Sequence, residues 1–355
     1  MIKHNAILEV NLKNLAFNYK KLSKIANQSI CAATIKADAY GIGVIKTFET
    51  LYKNKCRHFF VATTEEALEI RKKKLLANVY VLNGLESNEL SIFNDTNIIP
   101  IINDKDEYNF VIKNIKQYKK LKFGIHIDTG LNRLGLDIND LLKINSNHNK
   151  IHILLSHLSS ADEGKNNYNI LQNNKFKSAI NLKINAKYNS LSNSMGIILG
   201  NNFHHDLVRP GISLYGGHFN TKMKQIIKPV ICLKGKILQI KEISKNEFVG
   251  YNQTYKTHKK LKVAIVGIGY ADGISRVLSN KGNAYFKNKT FKIIGRVSMD
   301  SITVDISKNN KLIKVGDYME IINHSNGIDK IANQCNTICD EILTSISKRV
   351  KRVYI

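Results

Sequence analysis

The chain has 355 residues, of which 43% are hydrophobic, so it can fold into a large domain and a smaller one, and a disordered protein is excluded. Its formal net charge is +26, but the lysines are spread over the whole sequence. We interpret the charge as a surface feature; an organised basic patch that binds nucleic acid is the alternative from another class. No apolar run approaches the roughly 20 residues of a membrane span, so we expect no membrane partner.

The N-terminus and the cysteines indicate a cytoplasmic protein. Residues 1–5 lead into a mixed polar and apolar stretch, without the continuous apolar segment of an export signal. The five cysteines are scattered and odd in number, which fits reduced thiols better than a disulfide framework. Cys335 and Cys339 lie four residues apart in a predicted helix, and no second Cys or His pair completes a zinc site. We therefore expect no metal.

The first 215 residues alternate between short apolar segments and longer amphipathic ones. The first amphipathic segment places Leu12, Leu15, Tyr19 and Leu22 on one face of a helix. Continuous apolar segments are typical of parallel strands that helices cover. Eight such units, with starts roughly 20 to 40 residues apart, predict a (β/α)8 TIM-type barrel. The predicted strands are residues 31–36, 59–63, 79–83, 98–103, 122–128, 151–157, 188–194 and 206–209.

After about Pro229 the pattern changes to strands joined by turns rich in Gly, Asn and Lys, with a helical pattern only at residues 328–346. This predicts a mainly β C-terminal domain. We place the barrel at residues 1–225 and the β domain at residues 226–355, with the first residues of the chain as candidates to pair with the β domain. The predicted strands of the β domain are residues 230–243, 261–268, 291–297, 302–306 and 317–322.

Polar side chains stand at the carboxyl ends of the predicted barrel strands, where barrels hold their reactive groups. Lys36 ends the first strand. Desolvation at a barrel mouth frees a lysine amine to attack a carbonyl, and the matching chemistry is Schiff-base formation with a substrate or with pyridoxal phosphate. From position alone, a salt-bridged or outward-facing lysine is an equal alternative. The other strand ends carry Asp128, His157, Asn193, Ser194 and Arg209.

Pyridoxal phosphate also requires a phosphate cradle, which barrels commonly build from the loops after the seventh and eighth strands. Ser194 supplies a hydroxyl group in the first of these loops, and Gly211 and Ile212 supply backbone amides in the second. A phosphate cradle together with Lys36 points to pyridoxal phosphate far more specifically than either feature alone.

The same residues belong to motifs that resemble those of the alanine racemase family. Residues 34–43, with the sequence TIKADAYGIG, are similar to the motif that carries the cofactor lysine. The resemblance continues in family order from residue 9 to the C-terminal end, so it covers nearly the whole chain. The further motifs lie at residues 128–135, 156–163, 193–194, 209–216, 267–273 and 295–300.

The resemblance implies a pyridoxal-phosphate-dependent racemase that interconverts L-alanine and D-alanine and supplies D-alanine for peptidoglycan. Lys36 would hold the cofactor covalently and exchange a proton on one face of the substrate α-carbon. Tyr270 would exchange a proton on the opposite face, since inversion of a stereocentre needs removal from one side and return from the other. The resemblance also implies a head-to-tail homodimer, in which Tyr270 reaches the site from the partner chain.

The binding residues follow from the same resemblance. Arg209 would face the pyridine nitrogen of the cofactor, and His157 would lie in a chain between Arg209 and Tyr270. An arginine only donates and stays charged, so it favours an unprotonated nitrogen, and thereby racemisation over transamination. The phosphate contacts would be Tyr40, Ser194, Gly211 and Ile212, and the substrate carboxylate contacts Arg133 and the backbone of Met299.

Three positions depart from the family pattern: Ser298 replaces a frequent cysteine, Ile42 a frequent histidine, and His126 a lysine that in many members is carbamylated. That carbamylated lysine supports the arginine equivalent to Arg133. A histidine cannot form the stable carbamate, so either another anion fills the role or Arg133 is held differently.

Two other classes of protein compete with this interpretation. A barrel-type amino-acid decarboxylase shares the cofactor lysine and the architecture, but the motifs around Tyr270 and Arg209 favour racemisation, and release of carbon dioxide would separate the two. A short cofactor-carrier barrel would lack the predicted β domain. Serine, or a broader set of amino acids, is the alternative substrate, because one sequence does not reveal the pocket wall.

Overall fold

A computed structural model describes residues 4–143, 150–182, 184–308 and 312–355. Its first helix, Leu12–Ile25, shows how the sequence sets local structure. The side chain of Asn11 accepts a hydrogen bond from the backbone N of Asn14 at 2.8 Å and so caps the helix. Leu15, Tyr19 and Leu22 are buried on one face, as the spacing predicts.

Among the described residues, eight parallel strands form the predicted barrel, which confirms the fold class for this part of the chain. The first strand is divided at Ala32, and its first half pairs with the last strand. A hydrogen bond from Arg209 N to Ser192 O, at 2.8 Å, joins the last strand to the seventh. The strands are Ile30–Cys31 with Ala33–Thr34, His58–Val61, Asn78–Val81, Ile98–Ile102, Phe123–His126, Ile151–Leu155, Tyr188–Ser190 and Leu207–Val208.

Each predicted barrel strand coincides with an observed one, but the predicted ends are too long. Lys36, His157, Ser194 and Arg209 all lie after the strands, in the loops that follow them. The hydrophobic pattern runs past the strand ends because the loops themselves are buried: Leu191, which follows the seventh strand, has no exposed surface. A hydrophobic segment shows which residues are buried, and in this barrel burial continues beyond the last hydrogen bonds between the strands.

Helices separate the barrel strands. They include two very short ones, of four residues each, after the fifth and seventh strands. The helices are Leu12–Ile25, Val44–Lys53, Thr64–Arg71, Leu90–Thr96, Lys105–Asn114, Ile138–Leu141, Tyr168–Asn181 and Gly196–Leu199, with Thr221–Ile226 after the barrel.

The β domain is built on an eight-stranded, mainly antiparallel sheet, and the strands predicted there are confirmed with small shifts of their ends. The first strand of the chain, Ala6–Val10, joins this sheet between Ile231–Ile243 and the C-terminal strand Lys351–Tyr354. Lys351–Tyr354 escapes sequence prediction, because it is short and alternates between exposed and partly buried residues. The remaining strands of this sheet are Leu261–Val266, Asn283–Phe286, Lys289–Ile294, Ile302–Asp305 and Tyr318–Ile322.

The helical pattern predicted at residues 328–346 consists of two helices, Ile328–Cys335 and Cys339–Thr344. Asn336 ends the first of them in a left-handed conformation, with φ at 54°. Cys335 and Cys339 therefore do not share one helix, and that part of the prediction is wrong. Within the described residues, no helix has both the length and the apolar character needed to cross a bilayer.

Candidate active site

The segment after the first barrel strand, Lys36–Tyr40, is a left-handed helical turn. Ala37, Asp38 and Ala39 have φ values of 53–54°, in a region that costs roughly 1–2 kcal/mol per non-glycine residue. Several hydrogen bonds hold the turn. The Glu66 carboxylate accepts from Ala37 N at 2.6 Å, the Asp38 carboxylate accepts from Val44 N at 2.7 Å, and Arg352 of the β domain donates to Gly41 O at 2.7 Å.

The turn brings both Lys36 and Tyr40 to the wall of a cavity of about 580 Å³ at the barrel mouth. This cavity collects side chains from the ends of strands that are far apart in sequence, as a barrel should. Eight of the predicted site residues line it: Lys36, Tyr40, Arg133, His157, Ser194, Arg209, Gly211 and Ile212.

Burial lowers the pKa of Lys36, and the nearby positive charge of Arg133 lowers it further. Asp340 and Glu66 act in the opposite direction, without outweighing the other two causes. A larger share of the amine is therefore neutral near pH 7 than for a lysine in water, which suits a nucleophile and a base.

The loops after the seventh and eighth strands meet at Ser194, which is buried. Its hydroxyl oxygen accepts hydrogen bonds from Gly211 N at 2.9 Å and Ser213 N at 3.3 Å, so its own proton is left for another acceptor. The backbone N–H of Ile212, at the start of the 3-10 turn Ile212–Tyr215, has no hydrogen-bond partner in the described structure.

Gly211 leaves room for the hydroxyl group of Tyr40. A Cβ atom at Gly211 would lie 2.4 Å from the Tyr40 hydroxyl oxygen, so a larger residue would displace the tyrosine. Burial raises the pKa of Tyr40, and the group therefore remains a hydrogen-bond donor. This hydroxyl makes no hydrogen bond to any described residue, so the loops present three free donors: Ser194, Ile212 N and Tyr40.

Arg209 is buried at 6% exposure and has no carboxylate partner among the described residues. Its terminal nitrogens donate to the hydroxyl oxygen of Ser190 and, at 2.5 Å, to Ser156 O. Its Nε–H bonds to none of the described residues and is left for a further acceptor. Burial lowers the pKa of Arg209 to about 9, so the guanidinium is still charged at neutral pH.

His157 lies beside Arg209 in the cavity wall. Burial lowers its pKa well below the ordinary value, with contributions from Arg209 and Arg133, so it is neutral at pH 7. Its Nε2 lies 3.5 Å from the amide nitrogen of Asn193. The described structure contains no hydrogen bond from His157 to Arg209 or to Tyr270, so the predicted chain of three is not assembled within one copy of the chain.

His126, at the end of the fifth strand, is neutral as well. Burial lowers its pKa to about 4, helped by Arg209 and Arg133. The amide nitrogen of Asn103 donates to Leu82 O and Ile101 O, so the amide oxygen of Asn103, 2.9 Å from His126 Nδ1, must accept from it. This tautomer leaves Nε2 of His126 as an acceptor in the same cavity as the exposed guanidinium of Arg133.

Tyr270 and Met299 lie apart from the cavity, next to each other on two loops of the β domain. Tyr270 N donates to Ser298 O, and Ala271 N donates to Met299 O, both at 3.0 Å. A Cβ atom at Gly269 would lie 2.4 Å from Met299 O, so only glycine permits this contact. The side chains of Tyr270 and Met299 are 44% and 53% exposed. We call these two loops, residues 269–273 and 298–300, the tyrosine loops.

A carboxylate holds the tyrosine loops in place. Asp272 is buried and accepts from Gly269 N at 2.8 Å, within the 3-10 turn Tyr270–Asp272. Arg349 donates to both oxygens of Asp272, at 2.7 and 3.0 Å, and to Asp300 at 2.7 Å. Tyr270 is thus exposed on a well-supported turn.

Sequence analysis missed Asp340, which the helix Cys339–Thr344 of the β domain brings into the barrel-mouth cavity. The sequence offers only a weak signal for this residue: a carboxylate next to a cysteine, within the helical pattern predicted at residues 328–346. Because Asp340 lies 304 positions from Lys36 along the chain, the sequence gives no sign that both residues line one cavity.

Comparisons with known proteins agree along the whole chain. Residues 10–218 match the family model described as the alanine racemase N-terminal domain, and residues 230–354 match the C-terminal domain. Among curated relatives, the alanine racemase of Rickettsia canadensis is 36% identical, over 98% of both chains. The alanine racemase of Brucella suis is 35% identical over 98% of this chain and 93% of its own.

Solved structures give the same result. The alanine racemase of Bartonella henselae, solved with covalently bound pyridoxal phosphate, superposes with a TM-score of 0.92 at 35% identity, over 99% of this chain and 100% of its own. The biosynthetic alanine racemase of Pseudomonas aeruginosa superposes with a TM-score of 0.90 at 26% identity, over 99% and 100% of the two chains.

Proposed function

The chain belongs to the alanine racemase family, and on that premise we propose how its residues divide the reaction between them. It is a pyridoxal-phosphate-dependent enzyme that interconverts L-alanine and D-alanine. The observation that carries the division of roles is the separation of two proton-exchanging groups: Lys36 lies in the cavity, and Tyr270 is exposed on another surface. The D-alanine product would supply peptidoglycan synthesis.

The residues of the barrel mouth fit the cofactor. Three free donors, from Ser194, Ile212 N and Tyr40, lie around Gly211, and a phosphate group would accept from all three. Lys36 would bind the cofactor carbonyl covalently, since burial lowers the pKa of its amine. When bound, the cofactor stabilises negative charge at the substrate α-carbon.

Arg209 would direct its free Nε–H toward the pyridine nitrogen. The other nitrogens of the guanidinium are engaged by Ser190 and Ser156, so its orientation is fixed. An arginine cannot supply a proton to that nitrogen at neutral pH, because its pKa is still about 9. Negative charge therefore stays near the α-carbon, where a returned proton completes racemisation.

Lys36 and Tyr270 would act on opposite faces of the substrate. The amine of Lys36 removes or returns a proton on the face that the barrel presents. The hydroxyl group of Tyr270 does the same on the other face, once a second copy of the chain brings it to the cavity. Arg133 and the backbone of Met299 would bind the substrate carboxylate, one from each side.

We further propose a homodimer with two shared sites, in a cytoplasmic setting. The proposal is supported by the rigid but exposed Tyr270, which lies outside the cavity of its own chain. The Asp272–Arg349 ion pair would keep the turn in one conformation and so lower the entropy lost when the two copies associate.

Racemisation assays across several amino acids, with wild type and Lys36→Ala, test the proposal. Wild type should racemise alanine and show the absorbance of a lysine-bound cofactor. Lys36→Ala should lose both, with a fall in rate of roughly 10⁴-fold, because nucleophile and base are removed together. If Lys36→Ala still bound the cofactor covalently, the assignment of Lys36 would be wrong. Carbon dioxide release without racemisation would point to a decarboxylase.

A further inference from the structure

Asp340 is a carboxylate in the active-site cavity that the proposed reaction does not use. The helix that carries it, Cys339–Thr344, packs directly on the left-handed turn of Lys36: a Cβ atom at Gly41 would lie 2.6 Å from Leu343 O. The close backbone contact sets where Asp340 stands relative to Lys36 and Tyr40. All three residues line the same cavity.

Within the described structure, the groups around Asp340 give its carboxyl group no hydrogen-bond or ion-pair partner from another residue. Lys36 and Tyr40 face it from the turn, Asp329 acts on it from the helix Ile328–Cys335, and Cys339 precedes it on its own helix. Apart from the backbone N–H of Asp340 itself, no described residue forms an ion pair or a hydrogen bond with its side-chain oxygens. Burial raises the pKa of Asp340 and Asp329 adds to the effect, while the backbone N–H of Asp340 and the charge of Lys36 lower it.

The phosphate cradle lies next to this carboxyl group. Tyr40, one of the three free donors, experiences the negative charge of Asp340, which raises the pKa of Tyr40 beyond the effect of burial. A phosphate monoester bound there has a second pKa of about 6 and strong acceptor oxygens. Two anions side by side in a buried site cannot both be fully deprotonated without a large cost, as paired carboxylates show.

We propose that Asp340 binds the cofactor phosphate through a shared proton, with the carboxylic acid donating to a phosphate oxygen. The proton converts a repulsive contact into a short charge-assisted hydrogen bond, and no covalent bond changes. This role rests on the proposed cofactor site. Retention of the cofactor should then weaken as pH rises and the shared proton is lost. The hydroxyl donors Tyr40 and Ser194 keep their protons and would not produce this dependence.

Phosphorus-31 NMR of the purified holoenzyme, from about pH 5.5 to 9.5, tests the shared proton. Wild type should show a titration of the bound phosphate. Asp340→Asn supplies a permanent N–H donor at the same position, so its bound phosphate should stay dianionic over this range. The ratio of cofactor release rates, wild type to Asp340→Asn, should rise with pH, by up to about tenfold per unit above the shared pKa.

Asp162→Asn is the matched control, since it removes another carboxylate from the same cavity wall. It should retain the wild-type phosphorus titration, and so should Asp340→Glu, which keeps a carboxyl group if Asp340→Asn proves unstable. Identical titrations in wild type and Asp340→Asn would overturn the inference, and so would a loss of titration in Asp162→Asn. A wild-type enzyme without any bound phosphorus signal would instead overturn the cofactor site itself.

Discussion

The barrel mouth and the tyrosine loops are built in opposite ways. In the barrel mouth, Ser194 and Arg209 are only 3% and 6% exposed, and hydrogen bonds from several strands fix them. On the tyrosine loops, Tyr270 and Met299 are 44% and 53% exposed, although the backbone beneath them is held as firmly. The barrel gathers eight of the predicted site residues in one cavity, whereas the loops present two exposed side chains that do not line it.

We propose that this difference gives the two regions separate tasks. The barrel-mouth pocket would retain the cofactor, and burial there lowers the pKa of Lys36. An exposed, rigid tyrosine suits a group that must enter a site from outside without reorganising. Cofactor chemistry would then belong to one surface of the chain and stereochemical inversion to the other, so that variants in the two regions should fail in different ways.

Tyr270→Phe should separate the two tasks most clearly. Loss of one acid/base group should lower racemisation by roughly 10²–10⁴-fold, while the cofactor stays bound with unchanged absorbance. In deuterium oxide, Lys36 should still exchange the α-proton of one enantiomer with retention of configuration. Exchange lost equally from both enantiomers would mean that Tyr270 does more than serve one face.

Arg209→Glu should change the outcome of the reaction within the barrel mouth. A carboxyl group there would keep the pyridine nitrogen protonated, so pyruvate from transamination should increase while racemisation falls on the order of 10²-fold. Arg209→Lys, which keeps a positive donor, is the control and should not form extra pyruvate. If Arg209→Glu retained the cofactor yet formed no extra pyruvate, the proposed role of the arginine would be wrong.

Acid should weaken the barrel more than the β domain, because the barrel buries neutral histidines. At its amino-terminal end, the Tyr80 hydroxyl lies 2.8 Å from His58 Nδ1 and 3.1 Å from His152 Nδ1. Burial lowers the pKa of both histidines to about 4, as it does for His126. The unfolded chain therefore binds more protons between pH 6.5 and 4, and the free energy of unfolding should fall as pH drops through this window.

Urea unfolding at a series of pH values, with wild type and His152→Asn, measures this effect. The variant lacks one titrating group, so its free energy of unfolding should depend on pH less steeply, by up to about one proton. Equal slopes for the two proteins would show that His152 already carries its proton in the folded barrel.

The smallest expected effect concerns the support of Arg133. His126 cannot be carbamylated, and its tautomer leaves Nε2 free to accept from the guanidinium. Added bicarbonate should therefore change the rate of wild type very little. The substitution His126→Asn should lower the rate by at most about fivefold, because contacts of an exposed guanidinium contribute roughly 0–1 kcal/mol. A marked bicarbonate dependence of wild type would require a carbamate elsewhere in the site.

Much of the fold could be predicted from the sequence, because periodic hydrophobic segments directly report which faces are buried. The eight barrel strands and the change to a β domain follow from such segments. The turn after Lys36 could not be predicted, since Ala37, Asp38 and Ala39 carry no signal for a left-handed conformation; the supporting Glu66 and Arg352 come from distant parts of the chain. The break at Asn336 is equally hidden within a continuous helical pattern.

The site shows the same limit. Motif residues such as Lys36, Ser194 and Arg209 could be proposed because they follow strand ends, where a barrel concentrates function. Asp340 follows no strand and reaches the cavity only through the packing of a β-domain helix on the turn at Gly41. Tertiary contacts of this kind leave no periodic trace in the sequence.

Mixing two inactive variants tests the central claim, that each site joins the barrel of one copy to the tyrosine loops of another. Lys36→Ala and Tyr270→Phe should each be nearly inactive alone. After dissociation and reassociation in equal amounts, half of the dimers should be mixed, each with one intact site of two, so activity should recover to about a quarter of wild type. If activity stayed at the level of the separate variants although mixed dimers had formed, Lys36 and Tyr270 would belong to the same chain's site and the account would be contradicted.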